Sequence, residues 1–285
     1  MIREILVPVR GDGKGDNALA HAAAIAHRHG AHIKVVHCRP RPTDLMPYGV
    51  AIPDFLRKQI VDHSYQVADQ EEAGMRQELE VLARDLDLDL GQPNPGQKAS
   101  ASFVEEAGRQ VDVIKRLGRL ADLIVVPQPD RDRNLGHNTL KAALFHASRP
   151  ILMAPMTHPA PKLLGEKVTL AWNGSAEAAR ALSQCKSLLR AADKIWVLTN
   201  GSDAGPGTTV KDLMAYLDLH GISAEVHQWS ASQRVGRALL EATKELGADL
   251  MIMGAYGESH ERETVFGGNT QTIVDTAKIP VVLNH

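Results

Sequence analysis

Short apolar runs that end in turn residues recur along the chain and predict buried strands. The first is Glu4–Val9, which is followed by the turn residues 10–13. A second run of the same kind covers residues 167–172 and is followed by Asn173-Gly174-Ser175. Runs of this length, rich in β-branched residues and closed by Gly or Asn, are typical of strands buried in parallel sheets.

The same order of predicted elements occurs twice. An Ala-rich helix is predicted over residues 17–29, with Gly30 as its C-cap, and its counterpart covers residues 176–190. The further pairs are strands 33–37 and 194–198, strands 101–105 and 224–228, helices 111–120 and 234–246, strands 122–126 and 249–253, and strands 149–153 and 279–283. Strands alternating with helices predict an α/β fold of two tandem open parallel-sheet domains, Rossmann-like, each of about five strands.

The proline-rich residues 155–161 mark the predicted boundary, which gives domains 1–156 and 157–285. The first copy is longer, because residues 39–53 form an irregular loop and residues 54–85 read as one long polar helix. This helix carries an apolar stripe of Phe55, Ile60, Val67, Met75, Leu79 and Leu82. The stripe fits a scaffold helix that covers one face of the sheet, and the alternative is a partner-binding face.

Composition indicates a soluble globular protein, with 44% hydrophobic and 23% charged residues. The 32 basic and 34 acidic residues give a net charge of −2, so neither nucleic acid nor an anionic membrane is expected as a partner. The N-terminus lacks the pattern of a signal peptide and no apolar run approaches the ~20 residues that span a bilayer, which predicts a cytoplasmic protein. Cys38 and Cys185 are expected to be buried apolar side chains rather than a disulfide or redox pair.

Two glycine clusters follow the fourth predicted strand of the second copy. Gly254-Ala255-Tyr256-Gly257 is separated by nine residues from Gly267-Gly268-Asn269-Thr270, which opens a helix predicted over residues 270–276. Glycines let backbone approach a ligand closely, and the unpaired N–H groups of a helix N-terminus suit phosphate. In an open parallel sheet both clusters lie at the carboxyl ends of the strands, facing Asn173-Gly174-Ser175.

The alternative to a phosphate site is that the two glycine clusters form only two turns and a helix cap. No Gly-Lys-Ser/Thr follows, so this is not a Walker loop. The glycines follow the fourth strand rather than the first, so it is not the dinucleotide fingerprint either.

The order of elements, the opening Ile5-Leu6-Val7-Pro8-Val9 and the Gly-x2-Gly-x9-Gly pattern resemble the universal stress protein family in its tandem form, over essentially the whole chain. The resemblance implies ATP, with or without Mg, bound in the second copy. The family usually has Ser or Thr where this chain has Gly268, so one hydroxyl contact to phosphate is absent. Asn173 stands where the family has an aspartate that contacts the adenosine, and Thr270 matches a phosphate-contacting position.

The resemblance also implies that the backbone of Thr199 faces the adenine and that Met253 and Tyr256 line the nucleotide; Tyr256 as a half-buried rim residue is the alternative. The site residues expected are Ala171, Trp172, Asn173, Thr199, Met253, Gly254, Tyr256, Gly257, Gly267, Gly268, Asn269 and Thr270.

The first copy departs from this pattern. Arg10 occupies the position of Asn173, and residues 127–133, with two prolines, replace the glycine loop. Gly136 alone remains near the start of the helix predicted over residues 138–147. Prolines remove backbone donors, so the first copy is expected to be degenerate and kept for packing. Its arginines, among them Arg131 and Arg133, fit a solvated charged loop better than an anion site.

The sequence offers no catalytic residue. No paired-histidine metal motif is present, since His260-Glu261 lacks the second histidine, and Asn173-Gly174-Ser175 is better explained as a helix cap than as a nucleophile turn. Asp203 and Glu258 are the nearby carboxylates that metal-assisted phosphate chemistry would want. Weak ATPase activity is the most that can be expected.

These observations predict a cytoplasmic protein that binds ATP in its second domain and uses occupancy as a signal, with slow hydrolysis at most. The alternative is an interaction protein that binds no nucleotide and whose two domains form a pseudo-dimer. A weak ATPase or a phosphoacceptor is a third reading. By resemblance, residues 150–154 and 280–283 are expected to pair the domains, within one chain or between two chains of a homodimer.

Overall fold

The computed structural model describes residues 1–9, 15–39, 41, 53–93, 96–133, 135–201, 208–229, 234–257 and 268–285, without the side chains of residues 57 and 62–71. The elements of the N-terminal half are β1 Glu4–Val9, α1 Gly15–His29, β2 His32–Arg39, α2 Asp54–Asp85, β3 Asp89–Leu90, β4 Ser100–Ala107, α3 Gln110–Leu117, β5 Leu123–Pro127, α4 His137–His146 and β6 Ile151–Ala154. Those of the C-terminal half are β7 Lys167–Ala171, α5 Ala176–Gln184, α6 Lys186–Ala191, β8 Lys194–Thr199, α7 Val210–Leu219, β9 Glu225–Gln228, α8 Val235–Glu245, β10 Leu250–Gly254, α9 Gly268–Thr276 and β11 Val281–Asn284.

The two halves have the same strand order. Across the sheet the N-terminal half reads β4-β2-β1-β5-β6 and the C-terminal half β9-β8-β7-β10-β11, with the two-residue β3 added outside β4. All pairings within each half are parallel. This arrangement confirms the predicted α/β, Rossmann-like fold class.

The halves meet through β6 and β11, which pair in antiparallel register with Leu152 opposite Val282. The described strands therefore form one continuous sheet of eleven strands rather than two separate ones. The six paired residues, Ile151, Leu152, Met153, Val281, Val282 and Leu283, are all fully buried. The short apolar runs near each half's end thus become central strands of the joint sheet.

Helices cover both faces of the sheet, which explains why its strands read as continuous apolar runs rather than as alternating ones. In β1, Ile5 and Val7 belong to the hydrophobic cluster on one face, and Leu6 to the cluster on the other. The cluster of Ile5 and Val7 extends through α1 and Leu152 to Val168 and other residues of the C-terminal half. The two halves therefore share one core.

Two predicted helices are shorter than their patterns indicated. The stretch 176–190 divides into α5 and α6 at Cys185, whose φ of −95° and ψ of 11° interrupt the helix. The stretch 111–120 leaves α-helical geometry after Leu117 and ends in a tighter 3₁₀ turn over residues 118–120. Gly30 has a φ of +59°, as expected of a left-handed C-cap.

The C-terminal part of the long helix α2 covers the sheet. Leu79 and Ala83 are buried there in the core, as a scaffold helix requires. Phe55 and Ile60, near the other end, are 66% and 41% exposed. The predicted stripe is therefore covered at one end and open at the other, while the side chain of Val67 lies outside the described part of the chain.

His29, at the end of α1, makes the stability of the fold depend on pH. Burial, followed by the charges of Arg28, the N-terminus and Arg3, lowers the pKa of this imidazole from 6.5 to about 4. The unfolded chain binds a proton on His29 more tightly than the folded protein does. The stability that depends on neutral His29 is therefore complete above pH 6.5 and is lost as the pH falls toward 4. We expect the thermal midpoint of wild type to fall more over this interval than that of His29→Gln. Parallel pH profiles for the two proteins would contradict this account.

Candidate functional site

The carboxyl ends of β7 and β10 open a cleft in the C-terminal half. These neighbouring strands form the point at which strand order reverses, because the chain continues from β7 to β8 on one side while β10 lies on the other. Crevices at such a point are the usual ligand sites of open α/β sheets. The cleft has a volume of about 440 Å³, within the range of small-molecule sites. We refer to it as the C-terminal cleft.

Most of the predicted site residues line this cleft. They are Ala171, Trp172, Asn173, Met253, Gly254, Tyr256, Gly257, Gly268, Asn269 and Thr270. Thr199 is an exception, because it ends β8 as a buried residue whose carbonyl accepts the N–H of Trp229 and whose Oγ1 accepts that of Gly201. Its neighbours Leu198 and Asn200 line the cleft instead. Gly267 lies outside the described residues.

The turn after β7 is held by its own side chains. Asn173 Oδ1 accepts the N–H of Ser175 at 3.1 Å, and Ser175 Oγ accepts the N–H of Ala178 at 3.2 Å, which caps α5. Gly174 between them has a φ of +73°. The predicted helix cap is thereby confirmed. The amide oxygen of Asn173 serves the turn, and its amide nitrogen supplies a donor where the family's aspartate has none.

Gly254, the last residue of β10, serves the packing of the protein. A Cβ on Gly254 would lie 2.6 Å from the backbone nitrogen of Ala178, so this glycine allows α5 to lie against the end of β10. The left-handed residue of the loop is Tyr256, with a φ of +53°, and neither Gly254 nor Gly257 has a positive φ. Gly254 and Gly257 keep this part of the cleft wall free of side chains.

The N-terminus of α9 forms the opposite wall. Thr270 is buried there, and its Oγ1 accepts the N–H of Tyr256 at 3.4 Å, which ties the loop after β10 to the helix. A Cβ on Gly268 would have open space around it. The first N–H groups of a helix have no partner within that helix, so this end presents backbone donors and a partial positive charge to the cleft.

Several lining residues were not predicted from the sequence. They are Ser175, Glu177, Leu198, Asn200, Trp229, Val235, Leu239 and Ala255. Glu177 is the only charged side chain among the described lining residues, and it is 6% exposed. In the sequence it is an ordinary acidic residue in the first turn of a helix, so no local signal could have identified it. Trp229 and Leu239 reach the cleft from β9 and α8 through the fold alone.

The equivalent position in the N-terminal half is nearly filled. It retains a volume of about 20 Å³ between the ends of β1 and β5 and the start of α4. Pro129 packs against Gly136, and the carboxylate of Asp130 accepts the N–H groups of Asp132 and Arg133. The loop is therefore held by hydrogen bonds within itself. Arg10 lies outside the described residues.

This closed loop contacts the C-terminal half instead of a ligand. The buried Gln128 donates from Nε2 to the carbonyl of Val274 in α9 at 2.8 Å and accepts from the N–H of Met156 at 3.0 Å. Arg131 pairs with Asp275 at 2.8 Å. Phe145 of α4 lies with its ring centroid 5.5 Å from that of Tyr256. Arg131 is 67% exposed, in agreement with the prediction of a solvated charged loop, and its ion pair also joins the two halves.

The described residues contain no cluster of three or more His, Cys, Asp or Glu that could hold a metal ion. Asp203, Glu258 and His260 lie outside the described part of the chain. The cleft therefore offers binding groups from backbone and side chains but no assembled catalytic group within what the structure describes.

The fold and the cleft define an α/β protein with a Rossmann-like parallel sheet. The sequence model of the universal stress protein family matches residues 1–155 and 213–285, so the chain belongs to that family. A search among curated proteins by sequence finds no match.

Among solved structures, a universal stress protein from Archaeoglobus fulgidus superposes with a TM-score of 0.65 at 16% identity, covering 99% of this chain and 97% of its own. A putative universal stress protein from Pseudomonas aeruginosa gives a TM-score of 0.54 at 16% identity, with 99% and 93% covered. A universal stress protein in complex with cAMP, 16% identical, gives a TM-score of 0.38 and covers 55% of this chain and 99% of its own. At these identities the likeness of the first two concerns the fold. In the described residues no helix has the length and apolarity to cross a membrane.

Gly236 in α8 determines how closely α8 approaches the start of α9. A Cβ on Gly236 would lie 2.7 Å from the carbonyl oxygen of Asn269, so Gly236→Ala must push the two helices apart. We expect a loss of about 1–3 kcal/mol in the free energy of unfolding, measured by denaturant titration. Gly74, in α2, has open space, and Gly74→Ala should stabilise by about 0.5–1 kcal/mol. Equal effects of both substitutions would show that α8 and α9 tolerate the added methyl.

Proposed function

We propose that this protein binds an adenine nucleotide, ATP in particular, in the C-terminal cleft. The observation that carries the proposal is the joining, at one switch point, of a glycine-lined loop end, the open N-terminus of α9 and a cleft of about 440 Å³. Apolar and aromatic walls suit a base, and unpaired backbone N–H groups suit phosphate. Membership of the universal stress protein family supports the same proposal.

Each part of the nucleotide has a fitting wall. Trp172, Trp229 and Met253 offer apolar surface to the adenine, beside the residue Thr199 that ends β8. Asn173 offers an amide to the ribose. Backbone at Gly257 and at Gly268–Thr270, with the hydroxyl of Thr270, offers donors to the phosphates. Occupancy of the cleft then serves as the signal, with slow hydrolysis at most.

A second candidate is an interaction protein that binds no nucleotide. The observation in its favour is the chemistry of two cleft positions: Gly268 brings no hydroxyl, and the oxygen of Asn173 is engaged with Ser175. Denaturing purified protein and weighing any released small molecule, together with calorimetry at millimolar ATP, separates the two candidates. If no adenine nucleotide is released and calorimetry detects no heat of ATP binding, the interaction protein is the candidate that stands.

Restoring the missing hydroxyl should strengthen binding. No described atom lies within 4 Å of a Cβ built on Gly268, so Gly268→Ser is expected to fold normally and to add one donor at the phosphate end. A hydrogen bond to a charged group contributes about 1.5–3 kcal/mol, so we expect ATP affinity to rise about tenfold or more. Titration followed by tryptophan fluorescence measures it, because Trp172 and Trp229 line the cleft. Adenosine, which lacks phosphate, is the matched control ligand and should bind both proteins equally. Unchanged ATP affinity would contradict the proposed position of the phosphates at the N-terminus of α9.

We also propose that the chain comprises two domains, 1–156 and 157–285, which pair with each other within one cytoplasmic chain. The identical strand order of the halves supports two copies of one domain, and the β6–β11 ladder supports their pairing. A homodimer would then use another surface, because these two strands already have neighbours on both sides.

Pairing within one chain has a measurable consequence. An interface inside one molecule is not lost on dilution, whereas an obligate homodimer loses stability as its concentration falls. We expect the thermal midpoint of the protein to stay constant over a roughly hundredfold dilution, because pairing within one chain does not depend on concentration. A midpoint that falls with dilution, together with two chains by light scattering, would show that contacts between chains contribute to stability and would contradict pairing within one chain as its sole source.

A further inference from the structure

Glu177 places a carboxylate inside the C-terminal cleft. Its side chain is 7% exposed, and its Oε2 lies 3.5 Å from the Cβ position of Gly257. Arg180, one turn later on α5, approaches Oε1 with Nη1 at 3.6 Å, longer than a hydrogen bond, and its own side chain is 51% exposed. The positive charge nearest to Glu177 in the described structure is therefore solvated and outside the cleft lining.

The described lining of the cleft contains no Lys, Arg or His. Its side chains contribute one formal charge, the negative charge of Glu177. The loop that holds Gly257 is tied by the N–H of Tyr256 to Thr270, so the carboxylate and the start of α9 lie at the same loop. Phosphates bound at α9 would stand close to an acidic side chain in a partly desolvated site, where repulsion between like charges is strong.

We infer that Glu177 couples the binding of phosphate-bearing ligands to a divalent cation, an inference that rests on the proposed nucleotide site. Mg²⁺ prefers oxygen ligands and is commonly held by one or two carboxylates together with substrate phosphates rather than by a complete protein cage. One buried carboxylate beside the helix end to which the phosphates are assigned fits this pattern. Glu177 therefore makes the cleft repel the bare polyanion and accept its magnesium complex.

A purely structural role for Glu177 makes a different prediction. An acidic side chain in the first turn of a helix is favourable by itself, so its replacement would lower stability and leave the response to cation unchanged. Dependence of affinity on Mg²⁺, compared between variants, separates the two roles because it does not follow from stability.

The test is calorimetric titration of the full chain with ATP and with adenosine, each in millimolar Mg²⁺ and in EDTA. Wild type is compared with Glu177→Gln, which keeps the shape and removes the charge. Glu225→Gln is the matched control, since Glu225 is an exposed carboxylate on β9 that pairs with Lys194 away from the cleft. Thermal midpoints are measured in parallel to establish that each variant is folded.

For wild type and for Glu225→Gln we expect ATP to bind about tenfold or more tightly in Mg²⁺ than in EDTA. In Glu177→Gln that ratio should shrink by about threefold or more, through tighter binding in EDTA. Adenosine should be insensitive to Mg²⁺ in all three proteins.

Equal ATP affinity of wild type in Mg²⁺ and EDTA overturns the inference without any variant, so the test stands even if Glu177→Gln fails to fold. An unchanged ratio in folded Glu177→Gln also overturns it. Adenosine binding with either of these results leaves the nucleotide site standing. If neither ATP nor adenosine binds in either buffer, the proposed function is contradicted, and this inference is contradicted with it.

Discussion

The antiparallel pairing of β6 with β11 is the interaction on which the rest of the molecule depends. An edge strand leaves a row of backbone N–H and C=O groups unpaired, and each half alone would end in such an edge. Pairing the two edges satisfies these groups and buries the apolar residues of both strands completely. It also fixes the halves in a pseudo-symmetric arrangement, in which α4 of one half and α9 of the other lie near the junction.

This arrangement explains why the two copies diverged in opposite ways. In the C-terminal half the loop after β10 lines a cleft, and its backbone is linked to Thr270. In the N-terminal half the equivalent loop carries prolines and an Asp130 turn, and its Gln128 side chain is bound by α9 of the other half. A buried amide with two partners is expensive to remove, because its partners would be left unsatisfied. The loop of the N-terminal half contacts the other half where the loop of the C-terminal half lines a cleft.

The strands and the order of elements could be predicted from the sequence because each depends on a local pattern, whereas Met253, Tyr256 and Thr270 were expected at the cleft from the resemblance to the family. Buried parallel strands such as β1 and β10 read as apolar runs closed by turn residues, and duplication supplies the same signal twice. Ser175 was recognisable as a cap because capping is decided within a few residues.

What could not be predicted depends on contacts through space. The role of Gly254 is set by the approach of α5, and that of Gly236 by the carbonyl of Asn269, neither of which leaves a mark in the neighbouring sequence. Glu177 looks like any acidic residue of a first helical turn until β10 places Gly257 beside it. Arg131 reads as a loop charge because its partner, Asp275, is distant along the chain. The left-handed backbone fell on Tyr256 rather than on a glycine, where the surrounding contacts overrule local preference.

Helix α9 takes part both in the wall of the C-terminal cleft and in the contact between the two halves. Its first residues face the cleft, whereas Val274 and Asp275 near its other end are held by Gln128 and Arg131 of the N-terminal half. A helix of nine residues is a short rigid rod, so a displacement at one end is felt at the other. The contacts of the degenerate half therefore constrain the position of the backbone donors at Gly268 and Asn269. A half without room for a ligand of its own still determines the geometry with which its partner half can receive one.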